Sequence, residues 1–259
     1  MPDGTIWCDF FRLGSDYLLR FPGLADFHVV ADGSFITARP VPSLDDATLD
    51  HLYLNQVLPL AMSRQHKLVL HGGAVVIGNA AVAFIGRSGQ GKSTLVASFA
   101  ASGYRFLTDD GLQLMPAGDS FVANPGPASI RLWHDSNQAL MPADSALAPA
   151  ISYSPKARLL AGGMLEHSKT SLPLRAIYLL DAPADDGLIS ITPCGGREAL
   201  MALIGNSFLL DIEQRELVQQ HFVTLSELAR KGLVFRLRYP RDYSLLPAVR
   251  KQVCDHVGY

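Results

Sequence analysis

Two apolar runs separated by a two-residue break form the strongest pattern in this chain. Residues 68–77 and 80–85 are almost wholly apolar, and Gly78-Asn79 stands between them. A Gly-Asn pair between β-prone runs is a signal for a tight hairpin turn. Although the combined run approaches the length of a membrane span, this central turn argues against one. We therefore predict two buried antiparallel strands in a soluble protein.

Shorter patterns around this hairpin alternate between strand-like and helix-like segments. The strand-like segments cover residues 17–21, 27–30, 35–37, 104–108, 112–115, 121–123, 175–181, 188–192 and 233–238. The helix-like segments cover residues 43–64, 94–100, 198–210, 213–230 and 244–257. Residues 124–172 are rich in Pro, Ala, Ser and Gly, and their structure is the least predictable. The many short strands favour a mixed sheet over a fully parallel one.

The first 65 residues are predicted to form a small α+β lobe. Within it, Asp32-Gly33 joins two strand candidates, and this dipeptide suits a type I′ turn. Ser43 is a suitable N-cap for the helix that follows, and Pro59 should kink or shorten that helix. The chain is thus divided into this lobe, residues 1–65, and a larger domain, residues 66–259.

Composition narrows the class of protein further. The 259 residues are 48% hydrophobic and 18% charged, which is typical of a well-filled globular core. The formal net charge of −2 gives no electrostatic reason to expect nucleic acid or a membrane as a partner. Cys8, Cys194 and Cys254 are scattered, so neither a disulfide framework nor a zinc site is indicated. Residues 1–12 lack a basic-then-apolar signal, and we expect a cytoplasmic protein.

A glycine-rich stretch follows the second apolar run and precedes a helix-like segment. It reads Gly86-Arg87-Ser88-Gly89-Gln90-Gly91-Lys92-Ser93-Thr94. Glycines let successive backbone N–H groups face one anion, and the helix N-terminus adds partial positive charge. In such a loop the lysine reaches the outer phosphates and the serine hydroxyl ligates Mg²⁺. The stretch predicts a nucleotide-phosphate site, but it does not distinguish a kinase from an ATPase, a GTPase or a transporter subunit.

Two adjacent carboxylates, Asp109 and Asp110, end the strand predicted after the loop and its helix. In a phosphoryl-transfer site, carboxylates hold the metal and orient or deprotonate the nucleophile. An isolated Asp-Asp pair is more often a solvated turn, but this place at a strand end favours the functional role. His71 lies in the first apolar run, and antiparallel folding would bring it near Gly86. The spacing leaves open whether His71 is a core residue or a catalytic one.

Basic residues supply a third group of candidates. Arg131 and Arg197 could neutralise phosphate charge as bidentate donors, and two glycines before Arg197 permit close backbone approach. Lys156 and Arg158 lie in a loop and could meet an acidic substrate. Each of these signals is weak by itself, because a solvated surface position is the commoner outcome for such side chains.

Together these motifs resemble the HPr kinase/phosphorylase family, bacterial serine kinases whose core is similar to that of phosphoenolpyruvate carboxykinases. The family pattern is His-Gly before a hairpin, a GxSGxGKS loop and a strand ending in Asp-Asp. Here it stands as His71-Gly72, residues 86–93 and Asp109-Asp110, and the likeness spans roughly residues 68–206. The resemblance implies an α/β fold, in which a P-loop kinase core of the HPr kinase/phosphoenolpyruvate carboxykinase type, with mixed sheets, follows the α+β lobe.

The resemblance also implies an activity, its cofactors and its catalytic residues. The cofactors would be ATP and Mg²⁺. Lys92 would bind phosphates, Asp110 would take the proton of the substrate hydroxyl, and His71 and Arg197 would complete the catalytic set. The chain looks more like the smaller HPr-kinase-like proteins of peptide natural-product pathways, notably lasso-peptide clusters, so the acceptor would be a Ser of a peptide or small protein. The hexamers of the family's sugar-control members leave a homo-oligomer open.

For the metal, the resemblance implies Ser93 as a ligand and Asp109 as its support. This sequence departs from the family pattern at two places that bear on metal binding. Thr94 stands where the family usually has Glu, and the nearest match to its Glu-Ile-Arg-Gly segment is Ser129-Ile130-Arg131-Leu132, without the Glu. The second metal ligand and any dephosphorylating activity are therefore left undetermined.

Two other classes of protein remain compatible with the glycine loop. A non-catalytic or regulatory nucleotide-binding protein would keep the loop and lack turnover, and the missing Glu keeps this alternative open. A transporter-type ATPase also carries GxSGxGKST, but the LSGGQ-like motif and the strand ending in Asp-Glu that it needs do not occur. Transfer to water or phosphate is a variant of the kinase that the sequence does not separate. Neither the acceptor nor ATP over GTP is specified.

Overall fold

The structure, a computed structural model, describes residues 6–142, 145–183 and 187–259, and it begins with an antiparallel sheet. The strands of this sheet are β1 (Asp9–Leu13), β2 (Asp16–Phe21), β3 (Ala25–Val29) and β4 (Ile36–Pro40). They pair in the order β1-β2-β3-β4. Burial alternates along β2 and β3, so Leu19 and Phe27 lie in an apolar core beneath the sheet. The end of the predicted lobe at residue 65 stays a prediction, and residues 1–5 lie outside the described residues.

The helix that follows this sheet is α-helical at both ends and π-helical in the middle. It consists of α1 (Asp46–Leu52), a π-helical turn (Tyr53–Val57) and α2 (Leu58–Arg64). The predicted helix is confirmed, and the wide turn lies just before Pro59, which has no N–H to donate to the preceding turn. The predicted N-cap, Ser43, is wrong. The cap is Asp45, whose carboxylate accepts from the Thr48 N–H at 2.8 Å.

The predicted hairpin around Asp32-Gly33 is confirmed, but its turn is not type I′. The register pairs Val29 with Ile36, so the connection is longer than two residues. Asp32 Oδ1 accepts from the backbone N–H of Ser34 at 2.9 Å and from its hydroxyl at 2.6 Å. The short aspartate side chain thus forms a local turn of its own, which competes with the type I′ geometry.

The larger sheet is mixed and contains the apolar hairpin. Its strands, with a small separate pair, are β5 (Leu68–Ile77), β6 (Ala80–Ile85), β7 (Phe106–Thr108), β8 (Gly111–Ala117), β9 (Ser120–Ala123), β10 (Ser129–Leu132), β11 (Ala157–Leu160), β12 (Leu172–Leu180), β13 (Ser190–Pro193) and β14 (Val234–Arg238). The order is β13-β14-β12-β6-β5-β8-β9, with β7 beside β5, while β10 pairs with β11. β6, β12 and β14 run parallel, whereas β5 is antiparallel to β6, β7 and β8. The predicted mixed sheet is confirmed.

Helices cover both faces of the mixed sheet. They are α3 (Lys92–Ala100), α4 (His134–Leu140), α5 (Gly196–Gly205), α6 (Arg215–Arg230) and α7 (Leu246–Val257), the last preceded by a 3₁₀ turn (Tyr243–Leu245). α3 and α7 share a core with Phe84 of β6, and α5 and α6 share another with Ile177 of β12. The carboxyl ends of β6, β12 and β14 meet at one edge between these layers, where ligands of open α/β sheets bind. Within the described ranges, every helix is too short or too polar to cross a bilayer.

The helix predicted over residues 198–210 ends earlier than expected, at Gly205. The backbone beyond it turns to β5 for its hydrogen bonds: Asn206 O accepts from the His71 N–H at 2.6 Å, and the Phe208 N–H donates to Val69 O at 2.9 Å. Tertiary pairing therefore replaces the last helical turn, and it places the Asn206 side chain beside the glycine loop.

Candidate functional site

The glycine loop connects the buried end of β6 to the first turn of α3, as predicted. Gly86 and Gly91 take φ values of 146° and 86°, which residues with side chains rarely adopt. A hydrogen bond within the loop stabilises it, since the Arg87 N–H donates to Gln90 Oε1 at 2.7 Å. It is also anchored from α5, since Asn206 Oδ1 accepts from the Gly86 N–H at 3.1 Å. These two hydrogen bonds help to hold the shape of the loop.

Lys92, the first residue of α3, is buried at the base of this loop. Its ammonium donates to the carbonyl oxygens of Gly86 at 2.7 Å and Arg87 at 3.0 Å. Burial lowers the pKa of Lys92 to about 8, against the opposing attraction of Asp110 and then Asp109. The lysine therefore lies under the loop whose phosphates it is expected to bind, and its ammonium group is hydrogen-bonded to backbone carbonyls of that loop.

Asp109 is buried at the carboxyl end of β7. Its Oδ2 accepts from the backbone N–H of Arg131 at 2.8 Å, while Oδ1 has no hydrogen-bond partner among the described residues. Burial, followed by the negative charge of Asp110, raises the pKa of Asp109 to about 7. Arg131 and the Ser93 side chain partly offset this rise. A buried carboxylate with an unpaired oxygen favours a bound cation.

Asp110 has a different electrostatic environment from its neighbour. Its Oδ2 accepts from Arg131 Nε at 2.9 Å and also from Nη2, which makes a largely buried ion pair. Burial alone would raise the pKa of Asp110, but the Arg131 guanidinium outweighs it and holds that pKa below its usual value. Asp110 is thus the more acidic member of the pair. Two adjacent carboxylates whose pKa values are pushed apart suit two different roles.

His71 lies beside this pair, as the hairpin register predicts. Gly72 is paired with Ile85, so His71 stands opposite the start of the loop, and the Gly72 N–H donates to Asp110 O at 3.1 Å. Burial and then the nearby Lys92 cation lower the pKa of His71 to about 4. The imidazole is therefore neutral at physiological pH and can act as a hydrogen-bonding group rather than a cation.

A cavity of about 690 Å³ joins the loop to these side chains, and its volume is typical of a small-molecule site. The predicted site residues that line it are His71, Ser88, Gly89, Gly91, Lys92, Ser93, Thr94 and Asp110. Gly86 and Gln90 line a groove on the other side of the loop, next to β12 and α5. Most of the predicted loop and catalytic residues therefore line the same cavity.

Arg197 is a predicted site residue that the structure does not bring to this cavity. It is exposed in the first turn of α5, away from the described residues that line the space. Its neighbour Glu198 forms an ion pair with Arg236, which also bonds Asp181. The position beside the carboxylates is taken by Arg131, and a catalytic role for Arg197 stays a prediction.

Several residues of the cavity were weak candidates in the sequence or no candidates at all. Lys156 lines it, with its ammonium 5.2 Å from the Trp133 ring centroid. Tyr239 and Arg241 line the wall next to the loop. The position of these two residues follows from the strand order. β14 and β6 are both parallel to β12, so the segment after β14 leaves the sheet at the same edge as the glycine loop.

Behind the carboxylates lies a second cavity of about 20 Å³, large enough for one water molecule. Asp109, His51 of α1 and Arg158 of β11 line it. Each of these three residues has one buried side-chain atom without a hydrogen-bond partner among the described residues: Asp109 Oδ1, His51 Nε2 and Arg158 Nε. The helix after the first sheet thus contributes to the back of the site.

The oxygens of Ser93 and Asp109 suit a Mg²⁺ ion, which needs few protein ligands, better than a metal ion whose ligands all come from the protein. In the described parts of the chain, no cluster of three or more His, Cys, Asp or Glu residues could hold a metal ion. Mg²⁺ usually takes one or two protein oxygens and fills its shell with substrate phosphates and water. The unpaired Asp109 Oδ1 and the adjacent Ser93 side chain match that requirement.

Comparison with solved structures finds distant structural neighbours of this chain, whereas comparison by sequence finds no relative. No family model matches the chain, and no curated protein matches its sequence. The HPr(Ser) kinase/phosphatase from Coxiella burnetii matches with a TM-score of 0.38 and 13% identity, covering 73% of this chain and 95% of that one. Similarity this low carries no functional assignment for this chain.

Proposed function

We propose that this chain is an ATP- and Mg²⁺-dependent kinase that transfers the γ-phosphate to a Ser hydroxyl of a peptide or small protein. The observation that carries the proposal is that Lys92 of the glycine loop and Asp110 line the same cavity. Phosphoryl transfer depends on holding the phosphates and the acceptor hydroxyl in line, with charge stabilisation on the moving group. A phosphate-binding loop facing an ionised carboxylate meets both needs.

Each side chain then has a definable role. Lys92 exchanges its loop carbonyls for the outer phosphates, and Asp110 orients the acceptor hydroxyl and accepts its proton. Arg131, next to Asp110, spreads the negative charge that develops during transfer. Ser93 and Asp109 would hold Mg²⁺, which supplies charge neutralisation on the phosphates when bound.

A non-catalytic or regulatory nucleotide-binding protein is the second candidate. The observation that favours it is the ion pair between Asp110 and Arg131, because the carboxylate needed as a base is already engaged by a cation. In a kinase this pair must loosen or be shared when the substrates bind. In a regulatory protein it can remain as a structural contact.

Comparing ATP binding with ATP turnover separates these two candidates. For a kinase, Asp110→Asn should keep ATP affinity within about threefold and lose roughly 10²-fold or more of turnover, the range that general base catalysis supplies. Asp119→Asn is the matched control, because Asp119 is exposed in the turn between β8 and β9. Wild-type protein that binds ATP and shows no turnover with any acceptor would contradict the kinase.

A further inference from the structure

The cavity extends past the glycine loop to a wall that the proposed phosphoryl transfer leaves without a role. Residues 239–246 form this wall together with the first turn of α4. An ideal Cβ built on Gly91 would lie 3.2 Å from the Tyr239 hydroxyl and 3.9 Å from Arg241 Nε. The wall therefore contacts the loop at the residue just before Lys92.

Arg241 is held firmly in this wall with one donor group unused. Its Nη2 donates to Asp181 O at 2.7 Å, and its guanidinium lies 4.2 Å from the ring centroid of Tyr239, which is only 1% exposed. Arg241 Nη1 is buried and has no hydrogen-bond partner among the described residues. A buried charged donor without an acceptor is unfavourable, which points to a ligand atom at this position.

A chain of hydroxyl groups crosses the same end of the cavity. Thr94 Oγ1 lies 3.2 Å from Ser136 Oγ, which lies 3.0 Å from the Tyr243 hydroxyl. That hydroxyl donates to Asp135 Oδ2 at 2.9 Å. The chain of hydroxyl groups joins α3, α4 and the 3₁₀ turn, and its members line the cavity.

The charges of the wall make it unsuitable for the phosphates of a nucleotide and suitable for the nucleoside. The carboxylates of Asp135 and Asp242 line the wall, and their negative charge would repel a phosphate chain placed there. Hydroxyl groups, a tyrosine ring and Leu246 instead offer hydrogen bonds and apolar contact, which suit a sugar and a base. The phosphates belong in the glycine loop beside this wall, next to Lys92.

We propose that residues 239–246 and the first turn of α4 form the subsite for the nucleoside part of a nucleoside triphosphate, with Arg241 donating to it. The inference rests on the proposed function in one respect, since it places the triphosphate in the glycine loop. It goes beyond that function by assigning nucleoside recognition to a segment that the motifs do not include.

Calorimetric titration with ATP, GTP and inorganic tripolyphosphate, each with Mg²⁺, tests this subsite. Wild-type protein should bind ATP or GTP at least tenfold more tightly than tripolyphosphate. Arg241→Ala should reduce that preference by about tenfold, the effect of losing one charge-assisted hydrogen bond, and leave tripolyphosphate affinity within threefold. Retained tripolyphosphate binding also shows that the variant is folded. Arg215→Ala, an exposed arginine at the start of α6, should keep the wild-type preference.

The contrary results separate this inference from the proposed function. Equal wild-type affinity for tripolyphosphate and both nucleotides, or an unchanged preference in Arg241→Ala, would overturn the nucleoside subsite and leave the phosphate loop intact. Wild-type protein that binds none of the three ligands would overturn both the subsite and the proposed kinase.

Discussion

Arg131 holds Asp110 through its side chain and reaches the neighbouring carboxylate through its backbone. Its Nε donates to Asp110 Oδ2 at 2.9 Å, and its backbone N–H donates to Asp109 Oδ2 at 2.8 Å. The two aspartates are thereby kept in unequal environments, with the pKa of Asp110 lowered and that of Asp109 raised. Under the proposed function, this asymmetry would suit one carboxylate to the acceptor hydroxyl and the other to a metal ion.

Removing the arginine from this pair should destabilise the fold. Arg131→Ala leaves Asp110 as a largely buried, unpaired charge, and such a change typically costs about 3–5 kcal/mol. In the double variant Asp110→Asn/Arg131→Ala the uncompensated charge is gone, so part of the loss should be recovered. Urea unfolding of the wild type, both single variants and the double variant measures the coupling. Strictly additive effects would show that the pair does not interact.

Lys92 should be needed for ligand binding more than for folding. Lys92→Met removes the cation under the loop, and we expect at least a tenfold loss of triphosphate affinity with the unfolding midpoint little changed. Lys67→Met is a matched control, since Lys67 is exposed just before β5. Titration with ATP and Mg²⁺ checks the prediction. Unchanged affinity in Lys92→Met would place the nucleotide somewhere other than the loop.

The glycine after His71 is predicted to be required for close packing of the hairpin. A Cβ on Gly72 would lie 2.8 Å from Phe84 O, a backbone atom that cannot move aside as a side chain would. Gly72→Ala should therefore cost about 1–3 kcal/mol. Gly205→Ala is the matched control, because its Cβ would meet none of the described atoms within 4 Å and should be neutral or stabilising. Thermal unfolding compares the two, and equal stabilities would refute the packing argument.

Stability should fall in mild acid partly because of His51. Burial, and then Arg131 and other cations against the attraction of Asp110, lower the pKa of His51 to about 3. The unfolded chain, with an ordinary pKa of about 6.5, then binds a proton that the folded chain does not. As the pH falls from about 6.5 toward 3, the free energy of unfolding should decrease, by at most about 1.4 kcal/mol per pH unit for this group.

The contribution of His51 is isolated by comparing slopes rather than single stabilities. Asp109, whose pKa is raised to about 7, acts in the opposite direction over the same range. Urea unfolding at pH 7, 6 and 5 therefore compares the wild type with His51→Gln. Between pH 7 and pH 5 the free energy of unfolding should decrease less in the variant than in the wild type. His134→Gln, at an exposed histidine, should keep the wild-type slope. A variant slope equal to that of the wild type would exclude the buried histidine as a source.

The parts of the site that the sequence predicts are those encoded over short distances. The register that brings His71 beside the loop follows from two apolar runs and one tight turn. The loop itself is a contiguous stretch, and Asp109-Asp110 terminates the next strand, β7. In each case the residues and the turn that positions them are close in sequence, so pattern and spacing are sufficient.

The remaining residues depend on contacts between distant segments. Arg131 lies in a stretch without periodicity, and its place is set by β10–β11 pairing and by its bond to Asp109. Arg241 is placed by the parallel arrangement of β14 with β12. For Arg197 the local prediction holds, since α5 begins beside it, but packing of α5 on the sheet leaves its side chain exposed. Helical spacing alone does not fix that orientation.

Mass spectrometry of phosphorylation, with ATP, Mg²⁺ and candidate peptides such as lasso-type precursors, tests the central claim most directly. Wild-type protein should add phosphate to a Ser of an acceptor, Asp110→Asn should lose that transfer while still binding ATP, and Asp119→Asn should retain it. Phosphate transfer that survives in Asp110→Asn would contradict the proposed base. ATP binding without transfer to peptide, protein or small-molecule acceptors would contradict the kinase itself.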